Sequence, residues 1–197
     1  MDTYINVLKE NLKHLTPREI ISQDMKKAAV IAIFLNISDK THLLFIKKAD
    51  DIGYHSGQVS FPGGTIEKGE TPIEAALRET EEEIGIGKSK LEILGRFDDD
   101  SAIISNFIVT PFAAILKDIP EFTLQKSEVK EAFTVPFEFL LKEANYREQR
   151  IEMLNTEFLT DGYEYKGHII WGLTNRLVRR LVEIAGNSCS IDSVKNG

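Results

Sequence analysis

The chain has 197 residues, 42% hydrophobic and 28% charged, with a formal net charge of −7. That length suits one domain with a sizeable core. No apolar run approaches the ~20 residues of a membrane span, and the acidic balance argues against general nucleic-acid binding, which needs a basic face. An anionic substrate would have to be met by bound metal or by a few local Lys and Arg residues. Cys189 is the only cysteine, so no intrachain disulfide forms. That suits a reducing cytoplasm, and residues 1–15 lack the apolar centre of a signal peptide.

Residues 3–15 carry Ile5, Leu8, Leu12 and Leu15 at helical spacing and predict a helix capping the domain, ended by Thr16-Pro17. The apolar, β-branched run 27–35 reads as a central strand, the polar stretch 36–40 as a turn, and 41–48 as the second strand of a hairpin. Lys47 and Lys48 close that strand. From Gly57 the chain reaches Phe61-Pro62-Gly63-Gly64. Pro62 fixes φ, and the glycines let the backbone approach a metal or phosphate closely.

A helix is predicted from about Pro72 to Ile84. Thr71 is its N-cap, Pro72 its first residue, Glu74 completes a capping box, and Gly85 is a left-handed stop. At ~100° per residue, Ile73, Leu77, Thr80 and Ile84 form a narrow core-facing stripe. Glu79, Glu82 and Glu83, at i, i+3 and i+4, gather on a second face. Most Glu runs are simply solvated, and carboxylates this close destabilise an isolated helix. A divalent cation reverses the sign: Mg²⁺ or Mn²⁺ takes oxygen ligands and bridges carboxylates to substrate phosphates. Arg78 can reach Glu74 or Glu82 and hold a carboxylate in place.

Further on, 91–97 reads as a strand, with Arg96 near an Asp, and Asp98 to Asp100 as a solvated loop. Residues 107–116 read as a strand made edge-like or bulged by Pro111. A short strand and a helix starting near Pro136 fill 127–141. A strand pair is expected around Asp161-Gly162, then a helix over 173–184 with Leu177, Leu181 and Ile184 inward, then a frayed tail over 186–197.

The full pattern is Gly64, Glu70, Arg78-Glu79, Glu82-Glu83, Gly85-Ile86. It resembles the Nudix box of hydrolases that cut a nucleoside diphosphate linked to another moiety. Thr80 is the one soft departure, where the family usually has a bulky apolar residue. The resemblance implies an α/β/α sandwich around a mixed β-sheet, with residues 1–197 as a single Nudix hydrolase domain. Glu79, Glu82, Glu83 and the Gly64 carbonyl are then the expected ligands of Mg²⁺ or Mn²⁺. Arg78 would orient them, and Glu128, ahead of Glu131, would be a further metal ligand or general base. The segment upstream of the box is similar to the coenzyme A pyrophosphatase branch: Leu44, Ala49, Gly57 and Phe61 to Gly64 fit. Lys48 stands where an Arg is expected, and Gly53 replaces a second Arg. Segments at 105–111, 128–136 and 170–174 look like the same branch.

The implied reaction is hydrolysis of coenzyme A or acyl-coenzyme A to 3′,5′-ADP and (acyl-)4′-phosphopantetheine, with Lys48, His55, Gly57, Phe61 and Gly63 as substrate contacts. Two alternatives stay open. One is a Nudix pyrophosphatase for ADP-ribose, NADH or another nucleoside diphosphate derivative. The other is a Nudix module that senses a nucleotide without cutting it, although every box carboxylate is present. Partners are expected to be a small nucleotide substrate and, as often in this family, a second copy in a homodimer.

Overall fold

The computed structural model describes residues 3–50, 57–102, 105–153 and 156–186. His55, Gly53, Cys189 and nearly all of the tail lie outside the described residues.

Helix α1 (Thr3–His14) buries Ile5, Leu8 and Leu12, as its spacing predicts. Strands β1 (Lys26–Ile37) and β2 (Lys40–Lys48) pair antiparallel. They turn through Ser38 and Asp39, both at positive φ, as a two-residue hairpin of matching twist requires. After β3 (Val59–Ser60), β4 (Gly63–Thr65) and α2 (Pro72–Ile84) come β5 (Leu91–Arg96), β6 (Asp100–Ala102) and β7 (Phe107–Leu116). Strand β8 (Val129–Pro136) and the short α3 (Phe137–Leu141) follow. A three-stranded sheet of β9 (Tyr146–Met153), β10 (Thr156–Tyr165) and β11 (His168–Ile170) then leads into α4 (Gly172–Gly186).

The large sheet runs β3-β2-β1-β7-β5, with β4 on β1, β6 on β7 and β8 on β2. It is mixed: β1 and β7 pair in parallel and the other pairs are antiparallel. The unbroken apolar run of β1 follows, because both of its faces are covered. Ala29, Ile31, Ile33 and Leu35 join Leu44 and Ile46 beneath α2, with its Ala75, Ala76 and Ile84. Ala32 and Phe34 join Leu43 and Phe45 beneath α1 and α4, with Leu177, Leu181 and Ile184. The result is an α/β/α layering, as expected. Alternation along β2 also sends the side chains of Lys47 and Lys48 to opposite faces.

Several elements differ from the sequence expectation. Strand β7 is interior, so of the two readings at Pro111, edge or bulge, the edge fails and a local irregularity remains. Pro111 lies where the antiparallel ladder is already broken between β5 and β6, and its carbonyl accepts the Phe97 N–H at 3.1 Å. Asp161 and Gly162 are not a turn but lie within β10, paired with Glu148 and Arg147. Gly162 is required there by close approach: a Cβ would stand 2.4 Å from the Ile170 carbonyl oxygen. Asp98 to Asp100 are anchors rather than a solvated loop. Asp99 is buried and accepts from the Ile20 N–H and from Arg96, while Asp98 accepts from the Arg18 N–H.

Candidate active site

The site is built on α2 and the loop before it. Thr71 and Glu74 form the expected capping box, and Gly85 ends the helix at φ 73° with its N–H on the Glu81 carbonyl. The buried face differs from the predicted stripe: Ala75 and Ala76 are fully buried, and Ile73 and Leu77 only partly. Alanines let the helix lie close on β1. Thr80 is completely buried, and its hydroxyl donates to the Ala76 carbonyl at 2.7 Å, so the polar atom is satisfied within the helix.

Strand β4 carries the glycines to the helix. Gly63 pairs with Val30 at φ 144°, and a Cβ there would be 2.2 Å from the Ala29 carbonyl oxygen, so no other residue fits. At Gly64 a Cβ would stand 2.4 Å from the Glu79 carboxyl carbon, which therefore rests directly on the backbone. Glu83 is only 1% exposed. It accepts the Gly63 N–H at 2.9 Å and pairs with the Lys48 ammonium. Burial pushes the Glu83 carboxyl above its usual value, against the opposing pull of Lys48 and of the Gly63 N–H. Glu82, its neighbour, leaves 58% of its side chain in solvent.

Arg78 is the hub. Its Nε and Nη2 grip both oxygens of Glu70 at 3.0 and 3.2 Å, and Nη2 also reaches the Thr65 carbonyl. Its Nη1 bridges Glu79 and Glu82 at 3.0 and 3.2 Å. Glu70 drives the Arg78 guanidinium above its ordinary pKa, and Arg78 holds Glu70 below its own. The main partner of Arg78 is thus Glu70, not Glu74, which the capping box occupies. Helical spacing could not reveal Glu70, because it stands outside the helix. An open hollow of about 680 Å³ runs along this side of α2, with Lys68 and Lys88 among its walls.

The remaining candidates divide. Glu128 is exposed, and its carbonyl accepts the Ala49 N–H. It precedes Val129, which pairs with Lys48, so it stands at the same strand end as Glu83. Glu131 pairs with Lys47 and faces His168 instead. Lys48, read as a phosphate contact, is engaged with Glu83 and orients a carboxylate. Gly63 likewise directs its N–H to Glu83. Phe61 is 2% exposed and stacks on Phe45 at 5.2 Å, so its ring is core and offers no surface to a nucleotide. Gly57 takes φ 66° and donates to the Ala49 carbonyl at 3.3 Å, which fixes the start of the loop.

Among the described residues, no three His, Cys, Asp or Glu side chains stand together in ligating geometry; the carboxylates turn to Arg78 and Lys48 instead. The donor set nevertheless fits a hard divalent cation. Every donor is an oxygen, and the two paired cations mark where positive charge is demanded.

The model of the NUDIX domain matches residues 25–156. An uncharacterized Nudix hydrolase NudL of Yersinia enterocolitica is 34% identical, over 72% of this chain and 72% of that protein. Nudix hydrolase 3 of Caenorhabditis elegans is 28% identical, over 85% of this chain and 77% of its own length. Among solved structures, an Ap4A hydrolase of C. elegans superposes with a TM-score of 0.50 at 26% identity, over 61% of this chain and 87% of that one. A Deinococcus radiodurans protein, DR0079, shares the fold at a TM-score of 0.53 and 16% identity, over 85% of this chain and 89% of that one. With Glu83 and Glu79 of α2 resting on Gly63 and Gly64 and this match across most of its length, the chain belongs to the Nudix hydrolases, pyrophosphohydrolases that act on nucleoside diphosphate derivatives.

Proposed function

We propose that this protein hydrolyses the pyrophosphate bond of coenzyme A or acyl-coenzyme A, giving 3′,5′-ADP and (acyl-)4′-phosphopantetheine. The observation that carries the reading is the loop Gly57 to Gly64, whose coenzyme A-type sequence runs straight into the carboxylate cluster of α2. Glu79, Glu82, Glu83 and the Gly64 carbonyl would hold Mg²⁺ or Mn²⁺. Such a cation neutralises phosphate oxygens and lowers the pKa of a bound water.

The chain's own residues do the rest. Arg78 keeps Glu79 and Glu82 facing each other. Lys48 and the Gly63 N–H fix Glu83. Glu79 or Glu128 takes the proton of the attacking water as its oxygen bonds to phosphorus; the P–O bond to the leaving phosphate breaks, and that phosphate departs as an anion. The sole cysteine suits a reducing compartment, which supports the cytoplasm as the setting.

The test is a product assay with Mg²⁺ or Mn²⁺, offering coenzyme A, an acyl-coenzyme A, ADP-ribose and NADH separately. Release of 3′,5′-ADP well above turnover of ADP-ribose and NADH is expected. A second reading, hydrolysis of a dinucleotide polyphosphate, draws support from the likeness to the C. elegans Ap4A hydrolase. Preferential turnover of Ap4A in the same assay would favour it.

A further inference from the structure

On the face of the sheet opposite α2, a hollow of about 220 Å³ opens between the end of β2 and the three-stranded sheet. Lys47, Arg150, His168 and Trp171 line it, together with the Gly57–Val59 segment that leads into the Gly63-Gly64 loop. Lys47 and Lys48 are consecutive, so the hollow and the carboxylate cluster lie on either side of one strand end, within reach of one extended ligand. Whole-ligand pockets measure ~300–1,000 Å³. This volume suits one end of a ligand instead.

Its two cations are only lightly engaged. Lys47 makes no salt bridge within 4 Å among the described residues, although its charge acts on Asp50. Arg150 leaves 72% of its side chain in solvent and touches Glu157 only at 3.3 Å. The ring of His168 is held flat on Phe133 at 3.8 Å; its Nδ1 is buried without a hydrogen-bond partner, and its Nε2 faces the Glu131 carboxylate at 3.5 Å. Trp171 is braced edge-on by Phe158 at 5.5 Å, and the Thr174 hydroxyl ties the start of α4 to the Val59 carbonyl at 3.0 Å. Glu152 also lines the hollow, and its repulsion of an anion is opposed by the two cations.

We propose that this hollow binds a phosphomonoester carried by the nucleoside half of the substrate. Lys47, Arg150 and His168 are its contacts, with the base lying beside Trp171. The idea deepens the coenzyme A reading and rests on it, because coenzyme A carries such a group on its 3′ oxygen. Lys47 and Arg150 would then separate phosphorylated from unphosphorylated nucleotides.

Trp171 is the only tryptophan, so its emission reports ligand binding directly. The Mg²⁺-containing protein is titrated with adenosine 3′,5′-bisphosphate and with AMP, and calorimetry repeats both titrations. The bisphosphate should bind about tenfold more tightly. Lys47→Ala and Arg150→Ala should each bring the ratio towards one with unchanged melting temperatures. Equal affinities in the unmutated protein, or a ratio unmoved in both variants, would overturn the subsite. Coenzyme A hydrolysis is scored separately. An intact ratio without that activity removes the coenzyme A reading and keeps the subsite for another 3′-phosphorylated nucleotide. That activity with a ratio near one removes the subsite alone.

Discussion

Glu82 and Glu83 are sequence neighbours in opposite surroundings, and the difference separates catalysis from stability. Glu82 stands largely in solvent and, among the described residues, pairs with Arg78 alone. Glu82→Gln should cut turnover on the order of 100-fold while moving stability by no more than about 0.5 kcal/mol. Steady-state turnover beside a thermal melt checks both, and near-normal turnover would remove Glu82 from the ligand set. Glu83 is buried against Lys48, whose side chain is 18% exposed. Glu83→Gln leaves that ammonium without its counter-charge, so it should lose activity and also roughly 3 kcal/mol of stability, read from urea midpoints. Gly64→Ala tests the contact beneath Glu79. The added methyl meets the far end of a flexible side chain, not backbone. The fold should therefore survive, with unchanged far-UV circular dichroism, while the displaced carboxylate lowers kcat at least tenfold, in line with other misplaced catalytic groups.

At the scale of elements, α2 was the most legible part of the chain, because its boundaries are set by local chemistry. Thr71, Pro72, Glu74 and Gly85 act on backbone within a few residues of themselves. Thr71→Ala should therefore cost about 1 kcal/mol, seen as a lower urea midpoint at unchanged slope. The buried face of the same helix was less legible. Counting large apolar residues favours Ile73 and Leu77, whereas Ala75 and Ala76 are the ones fully buried in the cluster that holds β1. The places of Phe61 and Pro111 are hidden for a related reason. A Phe before Pro-Gly-Gly reads as a substrate contact, and a proline in a strand as an edge or a bulge, until the packing and pairing partners are known. Those partners are distant in sequence: β7 joins β1, and β8 joins β2. The Arg78–Glu70 grip escaped for the same cause, since helical periodicity is silent beyond the helix.

For the whole molecule, pH acts through groups whose proton affinity changes on folding. His42 on β2 sits against Thr134, and burial, helped by Lys40 and Lys166, lowers its pKa from the ordinary 6.5. Below that value the unfolded chain binds the proton more readily than the folded one. This group therefore removes stability as pH falls from about 6.5 towards its folded pKa, and has no effect well above it. His42→Gln should flatten the stability profile over that window, measured as the difference between variant and parent in urea melts from pH 7.5 to 5. The parallel pairing of β1 with β7 carries a further consequence, for biosynthesis. Roughly eighty residues separate the end of β1 from the end of β7, and β8, which covers the far side of β2, emerges later still. At ~5–20 residues per second this takes roughly 4 to 16 s. Throughout that interval the nascent β1–β2 hairpin carries two unpaired edges made of the most apolar sequence in the protein. The strands that end up inside the sheet are thus made early and wait on the ribosome for their outer neighbours.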